Sequence, residues 1–178
     1  MHMHRALCSA AGAAAVVLAA ASANAQTISF VAILAGANEV PPHETTGTGL
    51  SQAILNTANG QLTVNTTFSG LLTNAIAAHI HPGAPGVNGP VLFPFDGVPN
   101  ATSGTIPTQT FVLTEAQQAE LIAGNMYVNV HSVTFPGGEI RGQLAVVPEP
   151  ATLLLTTSGL LALGAVMRQR RKRSPLLG

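Results

Sequence analysis

The chain has 178 residues, no net formal charge, 8% charged residues, 4% aromatic residues and a single cysteine. That balance carries no basic footprint for nucleic acid, and one cysteine cannot build a disulfide framework. The length suits one domain once targeting segments are set aside.

Residues 1–25 read as a secretory signal peptide. Arg5 supplies the positive start, Ala6 to Ala21 is apolar, and Ala23-Asn24-Ala25 is an A-x-A cleavage site. Signal peptidase would then leave a mature chain starting near Gln26 and remove His2, His4 and Cys8. The exported domain has no cysteine, so its stability must come from its core and any bound ion.

Residues 26–147 remain as the domain. Its acids are Glu39, Glu44, Asp96, Glu115, Glu120 and Glu139, against Arg141 as its only Lys or Arg. The neutral chain thus contains an acidic domain, at about −5 with the histidines uncharged.

Thr27 to Ala35 is rich in β-branched and apolar residues and reads as a strand, broken by Gly36 to Pro42. Gly47 to Asn56 reads as the next strand. Asn59-Gly60 is a two-residue hairpin signal. In Gln61 to Ser69, alternation puts Leu62, Val64, Thr66 and Phe68 on one face. Ala75 to His81 reads as a strand, Pro82 to Pro90 as a loop, and Thr105 to Leu113 as a strand. Thr114 and Gln117 fit a capping box that starts a short helix, which runs to about Ile122 and is ended by Gly124. Met126 to Ser132 turns Met126, Val128 and Val130 one way and Tyr127, Asn129 and His131 the other. Phe135 to Gly138 is a turn, and Glu139 to Val147 the last strand. Short strands with regular turn punctuation predict an all-β fold: an antiparallel, Greek-key-like β-sandwich of about seven or eight strands with one short helix.

The segment 148–178 opens with Pro148-Glu149-Pro150. Ala151 to Met167 has no charge and no proline, and as a transmembrane helix it would cover roughly 25 Å, the short end of a bilayer crossing. Five cations from Arg168 to Arg173 would hold that end in the cytoplasm. The ordered parts resemble the PEP-CTERM sorting signal of Gram-negative bacteria. The resemblance implies an exosortase as partner, cleavage near Pro148-Glu149-Pro150, an inner-membrane intermediate, and release to the cell surface or extracellular matrix.

The sharpest chemical signal is His79-Ile80-His81. Residues i and i+2 of a strand share a face, with Cα atoms about 6.6 Å apart. Two imidazoles could converge there on one metal, with His131 as third ligand for copper or zinc. The alternative is that they bond and pin the loop that follows. His43 reads as a surface residue in a Pro-rich loop, and Asp96 as a turn residue. Glu39, before Val40-Pro41-Pro42, is placed to bond backbone amides. Glu115 and Glu120 form the solvated face of the helix. Arg141 reads as a structural ion pair with Glu139 or, alternatively, as a bidentate anion binder. No serine has a nucleophile-elbow setting and no glycine loop suits phosphate, so no catalytic residues are assigned.

Ala35 to Pro42, Phe68 to Leu71, Ala78 to Val91, Tyr127 to Ser132 and Phe135 to Leu144 together resemble a CHRD domain, in order and across nearly all of residues 26–147. The family is named for chordin and also occurs in bacterial secreted proteins. The resemblance implies a non-enzymatic binding or structural module, with an extracellular protein or polysaccharide as partner. A looser similarity is to copper/zinc superoxide dismutase. It implies copper at His79, His81 and His131 and anion guidance by Arg141, but the chain lacks the further histidines for a zinc site and the disulfide cysteines. A copper-binding or redox protein is therefore the competing expectation.

Overall fold

The structure is a computed structural model that describes residues 26–148. The expected signal peptide, Glu149, Pro150, the apolar run 151–167 and the basic tail lie outside the described residues. Among those described, no helix is long and apolar enough to cross a membrane.

Nine strands and one helix follow in order: β1 (Thr27–Ala35), β2 (Thr48–Asn56), β3 (Gln61–Ser69), β4 (Ala75–Pro82), β5 (Phe93–Pro94), β6 (Gly104–Val112), α1 (Glu115–Ile122), β7 (Met126–Ser132), β8 (Ile140–Gln143) and β9 (Ala145–Val146). A 3₁₀ turn at Gly36–Asn38 ends β1. The predicted capping box is formed: Thr114 accepts from the Gln117 amide and Gln117 from the Thr114 amide. Gly124 stops the chain after α1 with φ +79°, a value open to glycine at low cost.

The strands are antiparallel and form one sheet, ordered β5-β4-β7-β8-β1-β2-β3-β6, with β9 added on β1. This corrects the expected pair of stacked sheets. A single sheet curls into a nearly closed barrel, and its own inner face supplies both sides of the core. Register shifts at Val64/Thr66 and Ala75/Ala77 sharpen the local twist. The edges then meet through side chains. Phe111 on β6 stacks on Phe93 of β5 at 4.7 Å between centroids, and the Gln109 amide bonds both N and O of Asp96 at 3.0 Å. Pro94 and Pro107 sit in these two edge strands, where a missing N–H costs least.

The Asn-Gly signal lies in a four-residue turn rather than a two-residue one. Asn56 pairs with Gln61, and Gly60 N bonds Asn56 O at 2.9 Å. β5 was unforeseen, since a two-residue strand carries no period and ends in proline.

The inner face buries Phe30, Leu34, Leu55, Leu62, Ile80, Val128 and Ile140, joined by Leu121 from α1 and Leu144. Among the described residues, this core cluster runs from Phe30 to Leu144. Two hydroxyls also point inward, and they satisfy each other. Ser51 and Thr66 are cross-strand partners, buried, 2.7 Å apart.

That pair yields a direct test by urea unfolding. Ser51→Ala should cost about 1–3 kcal/mol, because the Thr66 hydroxyl loses its partner in an apolar interior. Adding Thr66→Val should recover most of that loss.

A candidate metal centre on the outer face of three strands

β7 is buried along its entire length, on both faces. Its inward residues meet the core. Its outward residues Tyr127, Asn129 and His131 share a surface with His79 and His81 of β4 and with Arg141 and Gln143 of β8. The register sets the grid: His79 faces Asn129, His81 faces Tyr127, and Asn129 also faces Arg141. His131 faces Ala77, one diagonal step from His79, within reach of long side chains. The loops 36–47, 83–91 and 133–139 contribute to the surroundings of this outer face.

The fold brings the three expected histidines together. One nitrogen from each of His79, His81 and His131 lies within 4.8 Å of the others. His79 Nδ1 is 2.8 Å from His131 Nε2. His131 Nδ1 donates to the Pro136 carbonyl at 2.9 Å, which leaves Nε2 as the lone-pair nitrogen. His81 Nδ1 donates to the Gly89 carbonyl at 3.0 Å. Its Nε2 is buried with no hydrogen-bond partner. The Asn129 side-chain amide lies 2.9 Å from His131 Nε2, and only its NH2 end, turned to the ring, can donate to that lone pair. His81 and His131 are buried and His79 is half-buried, so the cluster opens outward on the His79 side.

Burial disfavours the charged form of two of these rings, His79 and His131. His79 is lowered from 6.5 to about 4, first by desolvation and then by repulsion from His131 and His81. His131 is lowered as well, chiefly by desolvation. Neutral imidazole is the ligand form of histidine.

Arg141 is buried and acts beside this cluster. Its guanidinium lies 3.4 Å from the Tyr127 ring centre, and the opposite interaction of Tyr127 is a parallel stack with His81 at 4.9 Å. It donates to Asn88 Oδ1 at 3.0 Å and to the carbonyls of Val87 at 2.9 Å and Ala84 at 3.3 Å. Gln143 ties down the Gly83 carbonyl at 2.7 Å. Glu139 points elsewhere: its Oε1 accepts from Thr45 and from the Leu72 amide at 2.8 Å. The donors of Arg141 thus go to the 83–89 loop.

The geometry brings forward two residues that sequence reasoning did not place at the site. Glu39 is 6% exposed with Oε1 unpartnered, and burial pushes its carboxyl up to about 7 despite Arg141 nearby. It lines a cleft of about 480 Å³ together with His43, His81, Tyr127, Asn129 and Phe135. His43, expected on the surface, stacks on Phe135 at 4.4 Å. Gly89 is the second. A Cβ there would fall 1.6 Å from the Pro82 carbonyl, so only glycine lets the chain bring its carbonyl to His81. Its place in a Gly/Pro/Asn loop was the signal available.

A curled antiparallel domain with a loop-covered histidine face defines a small all-β module with a candidate metal centre. The chain belongs to the CHRD family: the CHRD domain matches residues 30–144. No curated protein matches the chain.

The titrations have opposite signs. His79 binds its proton at about 4 when folded and near 6.5 when unfolded, so stability falls as pH drops from 6.5 to 4. Glu39 binds its proton at about 7 when folded and near 4.5 when unfolded, so its contribution is full below 4.5 and is lost as pH rises through 7. Urea unfolding of metal-free protein between pH 4 and 7 should show a flatter acid limb in the double variant His79→Asn/His131→Asn. In Glu39→Gln that limb should steepen.

Proposed function

We propose that the domain is an exported CHRD module that binds one transition-metal ion, copper before zinc, through His79, His81 and His131. The observation that carries this reading is the His81 ring. Its Nδ1–H is committed to Gly89, and its Nε2 lone pair is buried, unpartnered and beside two further imidazoles. A lone pair buried without a partner is costly in the protein alone. A bound cation removes that cost.

The residues present fit the group. Three imidazoles without thiolate suit copper(II) or zinc(II). The Gly89 and Pro136 carbonyls accept from the two non-ligating nitrogens, which fixes each tautomer and makes the free nitrogens more basic. A bound copper would supply one-electron chemistry. Arg141 and Tyr127 would keep the His81 ring in its plane. A second reading is supported by the 2.8 Å contact between His79 and His131. In it the histidines hold only one another and the loop carbonyls, without an ion, and the module is purely structural or adhesive toward an extracellular protein or polysaccharide. The location proposed for either is the cell surface or matrix, reached through signal peptidase, the 151–167 helix and an exosortase acting near Pro148-Glu149-Pro150.

Copper(II) titration of the metal-free protein, followed by calorimetry and electron paramagnetic resonance, should give one ion per domain with nitrogen hyperfine structure. His81→Ala should lower affinity by at least about 100-fold. Equal binding by both proteins, or no stoichiometric binding, selects the second reading. For the address, a chain ending at Val147 should lose surface retention and tail processing in the native host. Unchanged location and processing would remove the sorting proposal.

A further inference from the structure

The other side of the barrel is chemically unlike the histidine side. β1, β2, β3 and β6 are consecutive in the sheet, each nine residues long, and contain no Asp, Glu, Lys, Arg or His. Their outward positions hold threonine, serine, asparagine and glutamine between aliphatic side chains. Ile33 is 71% exposed, Ile54 50% and Leu50 39%. Ile33 and Leu50 are direct cross-strand partners, and Ile54 lies further along the same face of β2. Water-exposed aliphatic groups in register on a charge-free sheet form a contiguous surface with a desolvation gain on contact.

We propose that this face is a self-association surface, and that its occupant is the same face of a second copy. The charge distribution argues for this partner. The domain carries about −5, so two copies repel over most approaches, and these four uncharged strands offer a face where they can meet without opposed carboxylates. A charged protein partner would find no complementary group there. A glycan would find no aromatic platform: Phe30, Phe68 and Phe111 turn inward or pack on other rings, and the sole tyrosine is on the histidine side. Size sets the strength. Four strands of nine residues cover roughly 27 by 19 Å, about 500 Å² per copy. That is the low end for a specific interface, so the dimer is weak, with Kd on the order of 100 µM. Such an affinity matters where copies are crowded, and it is independent of metal binding.

Sedimentation velocity on residues 26–147, from about 10 µM to 1 mM, tests it. The wild-type domain should shift from monomer to dimer across that range. Ile33→Glu/Ile54→Glu, checked by circular dichroism and melting for an intact fold, should weaken association at least tenfold by setting like charges face to face. Val133→Glu, at a site 63% exposed and outside these strands, should dimerise as wild type does. A wild-type domain monomeric at 1 mM overturns the proposal. So does equal dimerisation of the Ile33→Glu/Ile54→Glu variant. Wild-type retention on a neutral glucan that this variant loses, without dimerisation, overturns it in favour of a glycan.

Discussion

The stack of Arg141 on Tyr127 on His81 is the interaction on which the outer layer depends. A guanidinium at 3.4 Å from the Tyr127 ring centre is attracted to the ring face, and burial strengthens that attraction. Its fork then holds Asn88, Val87 and Ala84, so one side chain fixes both a ring and a loop. The loop returns the favour through Gly89, whose carbonyl orients His81 and whose amide bonds the Tyr127 hydroxyl at 3.2 Å. The only Lys or Arg of the domain is spent on architecture rather than displayed to solvent.

This second layer explains why β7 is buried on both faces. An antiparallel strand in a small domain ordinarily shows one face to water. Here the inner face carries Met126, Val128 and Val130, and the outer face carries Tyr127, Asn129 and His131 under loops. Polar groups in that position must be bonded, and most are. Among the buried side-chain atoms of the described residues, the exceptions are His81 Nε2, Glu39 Oε1 and Glu139 Oε2. Two of these, on His81 and Glu39, belong to residues that line the same cleft.

Much of the local structure was legible in the sequence because it follows from short-range chemistry. The capping box at Thr114 and Gln117, the stop at Gly124 and the alternation in β3 and β7 each depend on residues within a few positions. The convergence of His79 and His81 follows from strand period alone, and His131 joins them through register. The curl of the sheet was not legible. It depends on bulges and on the contact of Phe111 with Phe93, eighteen positions apart in the chain. The roles of Glu39, Gly89 and Arg141 were hidden for the same reason: each acts on a segment far away in the chain, so pairing Arg141 with nearby Glu139 was the natural sequence reading.

The short strand β9 has a mechanical consequence. It joins β1 by only two pairings, and Val147 N bonds Ser29 O at 2.8 Å as the last rung. Tension on the chain beyond Val147 therefore opens rungs one at a time instead of shearing a long strand at once. Peeling runs back as far as Leu144, whose side chain is a fully buried plug and whose amide bonds Met126 O at 2.9 Å. Up to that point the barrel acts with a built-in fuse. Past it, the force enters β7 and β8, the strands that carry His131 and Arg141.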